Sequence, residues 1–112
     1  MNQYPSLEAA FSVNPSTVAD WGYISCREQD LSILGISFFS DIEDPGECRR
    51  AIVESDNGDL FIFTKYEFSP DSIVVLASSA EIKCEREFLD KFPNEYAVEI
   101  VKLGIVYFGT PS

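Results

Sequence analysis

Residues 49–68 read RRAIVESDNGDLFIFTKYEF, and the pair Asn57-Gly58 at their centre decides the fold class. Runs rich in β-branched and aromatic residues flank the pair on both sides. Asn-Gly between two such runs is the strongest short-range signal of a β-hairpin. Side chains alternate across a strand, so Leu60, Ile62, Tyr66 and Phe68 share one face of the second run. Phe61, Phe63, Lys65 and Glu67 share the other.

Towards the C-terminus, Ser69-Pro70-Asp71 turns the chain into SIVVLASSAEI, which reads as a further strand. EREFLDKF then sets Phe88, Leu89 and Phe92 at helical spacing, and Pro93 closes that helix. In the last segment, YAVEIVKLGIVYF, the Val and Ile content favours one or two strands, although the period fits either state. Towards the N-terminus, YISCR and LSILGISFF read as strands joined by a polar EQD hairpin turn. Ser6 is placed to cap a short helix over LEAAFSV, with Glu8 in the first turn, where the helix dipole favours an acid. Asn14-Pro15 reads as the start of a second helical turn, which Gly22 would stop. The expectation is one α+β domain over residues 1–112. Its antiparallel sheet has five to seven strands in a hairpin meander, with short helices at the N-terminus and near residues 85–92.

Composition narrows the function classes. At 112 residues and 46% apolar, the chain is long enough to bury a core without staples. Its longest apolar runs, such as IVVLA at 73–77, are far too short to span a bilayer. The start MNQYPSLEAAF lacks the basic and apolar regions of a signal peptide. Cys26, Cys48 and Cys84 are odd in number, which fits a reducing compartment and a cytoplasmic protein. Nineteen acidic residues against eight basic ones give a net charge of −11. Nucleic acid and anionic membranes both repel such a surface, whereas a basic protein is attracted to it.

The residue inventory also argues against catalysis. Histidine is absent, and with it the usual general base, the Ser-His and Cys-His pairs and the commonest metal ligand. The cysteines lie 22 and 36 residues apart, so no CxxC motif exists, and they read as small hydrophobes in or near a core. The six glycines are scattered singly and form no phosphate cradle. Neither SDIEDPGE nor ESDNGD keeps the ligand spacing of a calcium loop. The expectation is therefore a non-enzyme with no catalytic residue, no metal and no cofactor. The aromatic residues could stack bases on a sheet, but a stacking platform needs a basic groove, and core packing explains them better.

Charge is uneven along the chain. Residues 1–48 hold eight acids and one base, Arg27, while the remainder holds eleven acids and seven bases. Within SDIEDPGE at 40–47, Asp41, Glu43, Asp44 and Glu47 crowd around the Pro45-Gly46 bend, and Glu28 and Asp30 lie upstream. These six carboxylates are the candidate partner-binding residues. Charge chiefly supplies rate and specificity, so an apolar anchor is also needed, and Trp21, Tyr23 and Tyr66 are the candidates.

In size, acidity, lack of histidine, absence of a signal peptide and α+β texture, the chain resembles bacterial toxin-immunity proteins, most closely those of contact-dependent growth inhibition systems. The resemblance implies a cytoplasmic protein that neutralises one cognate toxin, often a nuclease, by covering its active site or a nearby surface. It carries over no functional residue. A phage-encoded inhibitor of a host nucleic-acid enzyme would share the same charge and size. From another class, a small-molecule-binding β-rich domain with a Phe-lined cavity is the alternative.

Overall fold

A computed structural model describes residues 2–15, 18–40, 48–66, 73–92, 94–104 and 106–107. The element order is β1 (Asn2–Tyr4), α1 (Leu7–Val13), β2 (Asp20–Ser25), α2 (Glu28–Ile33), β3 (Phe39–Ser40) and β4 (Cys48–Glu54). There follow β5 (Leu60–Tyr66), β6 (Ile73–Ser78), α3 (Glu85–Lys91), α4 (Asn94–Lys102) and β7 (Val106–Tyr107). The strands form one antiparallel sheet in the order β1-β4-β5-β6-β2-β7, and β3 also pairs with β4. The fold is α+β, with helices at the N-terminus and over residues 85–91.

The hairpin read from Asn57-Gly58 is the centre of this sheet. Cys48 to Glu54 pair with Tyr66 to Leu60 in unbroken register. The turn closes with hydrogen bonds from the Gly58 N–H to the Ser55 carbonyl and from the Ser55 N–H to the Asp59 carbonyl, both 2.9 Å. Gly58 has φ 84°, in the left-handed region, and no atom lies within 4 Å of where a Cβ would stand. A side chain there meets backbone strain and no clash. Gly58→Ala is expected to cost about 1–2 kcal/mol in a urea melt. Gly58→Asn should cost less, because Asn tolerates that region. Equal losses would contradict the backbone explanation.

β6 extends the hairpin into a three-strand meander, but the meander stops there. The strand beyond β6 is β2, from the N-terminal part of the chain, paired from Asp20↔Ser78 to Ser25↔Ile73. β1 and β3 lie end to end along the outer edge of β4, at Ile52–Glu54 and Arg49–Arg50. The Gln3 side chain joins them by hydrogen bonds to the backbone of Ser37, and the Tyr4 hydroxyl donates to Glu54 at 2.9 Å.

Alternation divides the sheet into two buried faces. Ile24, Ala51, Val53, Phe61, Phe63, Val74 and Leu76 form one, packed with Leu31 of α2, Phe88 of α3 and Ala97 and Ile100 of α4. Ile52, Leu60, Ile62 and Ala77 form part of the other, packed with Leu7, Ala10 and Phe11 of α1. The expected separation of Leu60, Ile62 and Tyr66 from Phe61, Phe63 and Lys65 holds in this register, while Glu67 and Phe68 lie outside the described residues.

Three sequence expectations are corrected. EQD opens helix α2 and is not a hairpin turn. Glu28 and Asp30 occupy its first turn, where the dipole favours acids. Gly35, with φ 81°, ends it: its N–H bonds the Ser32 carbonyl at 3.0 Å and the Ile36 N–H bonds the Leu31 carbonyl at 3.4 Å. Leu31 and Ile36 are both in the core, which secures that ending and leaves only Phe39 of LSILGISFF in a strand, the start of β3. The segment YAVEIVK likewise lies in helix α4, because Ala97 and Ile100, three residues apart, reach the core together. Finally, Asn14 begins no second helix. Its N–H closes α1 on the Ala10 carbonyl at 2.8 Å, its side chain donates to the Gly58 carbonyl, and Gly22 is a buried residue within β2.

Candidate partner-binding surface

The sheet has one end at which the candidate carboxylates attach. Ser40, Cys48, Tyr66, Ile73 and Ser25 are strand termini there. The segment holding Asp41, Glu43, Asp44 and Glu47 joins Ser40 to Cys48 and lies outside the described residues. α2, with Glu28 and Asp30, follows Ser25 at the same end.

Glu28 and Asp30 both have partners within the chain. Glu28 Oε1 is 3.2 Å from Arg49 Nη1, and Oε2 is 3.6 Å from Lys65 Nζ. Arg49 and Lys65 are cross-strand partners on β4 and β5, so Glu28 ties α2 to two strands at once. Asp30 Oδ2 accepts from Arg27 Nε at 3.2 Å, an i,i+3 pair. A cleft of about 370 Å³ opens beside them, lined by Arg27, Glu28, Gln29, Ser32 and Lys65. Its lining carries both signs of charge, so this part of the surface has no single-signed field.

The three candidate anchors share one face of the sheet. Trp21 and Tyr23 sit two apart on β2, so they share a face, and their cross-strand partners on β6 are Ala77 and Val75. Ala77 pairs with Ile62, and Tyr66 lies four residues further along β5 on that same face. Trp21 and Tyr66 are therefore roughly 13 Å apart along the strands and about 10 Å, two strand spacings, across them. α1 packs over the Ile52, Leu60, Ile62 and Ala77 half of this face. Away from α1 the face is partly open to solvent: Trp21 on β2 is 50% exposed and Tyr66 at the end of β5 41%. Alternation along β2 was readable in the sequence, but the proximity of β2 to β5 was not, because β6 is inserted between them from some fifty residues away.

Cys26 and Cys48 are buried and Cys84 is exposed, all as free thiols. Burial, reinforced by the Asp30 carboxylate and opposed by Lys65, pushes the Cys26 thiol up to about 12. An unfolded chain ionises such a thiol near pH 9. The stability linked to Cys26 is thus complete below pH 9 and drains away as pH rises towards 12. At pH 8 a thiol-specific chromogenic reagent is expected to label Cys84 rapidly and the other two only on unfolding. Fast labelling of a Cys84→Ser variant would contradict the buried placement of Cys26 and Cys48.

Among the described residues no group of three or more His, Cys, Asp or Glu could hold a metal ion, and no helix is long and apolar enough to cross a membrane. No family model matches the chain, and no similar curated protein or solved structure was found.

Proposed function

We propose that this protein is a non-catalytic inhibitor that binds a basic protein, in its sharpest form an immunity protein in the cytoplasm neutralising a cognate toxin such as a nuclease. The observation that carries the reading is the placement of Trp21, Tyr23 and Tyr66 on one partly exposed sheet face. That face adjoins the sheet end where the acidic segment 41–47 attaches. Aromatic residues held rigidly by strands make good interface centres, and the chain's excess of carboxylates speeds the approach of a cationic partner. The phenylalanines support the same reading over a ligand-binding cavity. Phe92 has ring centroids 5.0 Å from Phe61 and 5.1 Å from Phe88, so these side chains fill the core.

The test is capture by the tagged protein from its native host lysate at low and high salt. The captured protein is then purified and titrated with the untagged chain. One basic protein, bound in near-equal amount and inhibited stoichiometrically, is the expected result. The Asp41→Ala, Glu43→Ala, Asp44→Ala triple variant should associate with it about tenfold more slowly at low salt, with unfolding stability unchanged. No protein partner at either salt would overturn the reading.

A further inference from the structure

A second surface stands apart from the sheet face. Ile33, in the last turn of α2, is 83% exposed. It lies in a cleft of about 300 Å³ whose other lining residues are Leu34, Glu95, Tyr96 and Glu99. The cleft is anchored from below. Leu34 and Tyr96 pack against the core, and a Cβ at Gly35 would be 3.6 Å from the Tyr96 hydroxyl. Leu103 extends the apolar strip: its N–H bonds the Glu99 carbonyl at 3.1 Å, which continues the helical repeat and sets it one turn beyond Glu99 and two beyond Tyr96. It is 49% exposed.

The charges on this strip are of one kind on the side nearest Ile33. Glu95 and Glu99 are one helical turn apart, so their carboxylates stand in a row beside the apolar floor. Glu99 holds Lys102 at 3.0 Å, but both partners are at least half exposed, and a solvent-screened pair of this type yields readily to a better-placed cation. Glu95 enters no ion pair among the described residues. An aliphatic floor flanked by a row of two carboxylates complements a helix that carries leucine-like side chains on one stripe and lysines or arginines beside it.

We propose that the cleft between the end of α2 and the flank of α4 is a docking site for a short basic amphipathic helix of a partner protein. Aliphatic side chains of the helix cover Ile33, Leu34 and Leu103, and its cations pair with Glu95 and Glu99. The site does not depend on the sheet face, so it stands or falls separately from the proposed inhibitor function.

The probe is a synthetic lysine–leucine peptide of about four helical turns, titrated into the isotope-labelled full chain and followed by amide chemical shifts. Saturable shifts confined to residues 33–35 and 95–103 are expected. A scrambled peptide of the same composition should not produce them. Ile33→Asp should weaken binding roughly tenfold or more, as should the Glu95→Lys, Glu99→Lys pair, while Trp21→Ala should leave it unchanged. Both sets of changes lie on exposed positions, and the spectra themselves report whether each variant is folded. Shifts that spread over the acidic surface without saturating, or that the scrambled peptide reproduces, would overturn the proposal. So would shifts at these residues that grow with protein concentration in the absence of peptide, since the occupant would then be a second copy of the chain.

Discussion

Phe92→Ala is expected to lower the unfolding free energy by about 3–5 kcal/mol, read from the midpoint of a urea titration at unchanged slope. Phe92 is the residue just after α3 and is 2% exposed. Its ring meets Phe61 and Phe63 of the sheet edge-to-face at 5.0 and 5.8 Å, stacks on Phe88 at 5.1 Å and touches Tyr96 of α4 at 6.4 Å. One side chain thus joins the sheet to two helices, and neighbours fixed by separate elements cannot all collapse into the space it leaves. A domain of this size has roughly 5–15 kcal/mol of stability in total, so this one substitution removes a substantial share of it. Ile33→Ala, an equally apolar truncation at an exposed site, should change stability by no more than about 0.5 kcal/mol. A loss below about 1 kcal/mol for Phe92→Ala would mean that this aromatic cluster is not the centre of the core.

The second large effect concerns binding. With the partner in hand, Trp21→Ala and Tyr66→Ala are each expected to weaken the complex by roughly thirtyfold or more, the ordinary cost of truncating a central aromatic anchor. Both side chains are about half exposed in the free protein, so the unfolding free energy should move by less than about 1 kcal/mol. Kinetics separate these residues from the carboxylates. Losing an anchor should raise the dissociation rate, whereas losing Asp41, Glu43 and Asp44 should lower the association rate and flatten its salt dependence. Wild-type affinity in the Trp21→Ala, Tyr66→Ala double variant would remove the sheet face from the interface.

The parts of the fold that were legible in the sequence are those set by local chemistry. Asn57-Gly58 fixed the β4–β5 hairpin because a positive φ is needed there and Gly58 supplies it. Phe88 and Phe92 gave away α3 because four-residue spacing aligns them on one face. α2 escaped because six residues give barely two turns and only Leu31 is fully buried, so the apolar period is too short to read. Its clearest signal was Gly35 after LSIL, a left-handed ending with apolar residues on both sides. α4 escaped because Val98, Ile100 and Val101 carry strand preference, which packing of Ala97 and Ile100 against the sheet overrides. For the site, the aromatic residues could be named one by one, but their sharing of one face depends on the pairing of β2 with β6, which no local pattern encodes. The attachment of Glu28 to Arg49 and Lys65 is hidden for the same reason.

That long-range pairing also governs the order in which the chain matures. β2 is synthesised early, yet its hydrogen-bonding partner ends at Ser78. A nascent chain leaving the ribosome therefore carries Trp21 and Tyr23 on a strand without its β6 partner until Ser78 has emerged. The β4–β5 hairpin, closed by a short turn, can form well before then, and β6 can add to it as it appears. β2 then docks onto a template that is already assembled. Until then β2 presents open backbone hydrogen-bonding groups beside two aromatic side chains, a combination that favours aggregation of an incomplete chain.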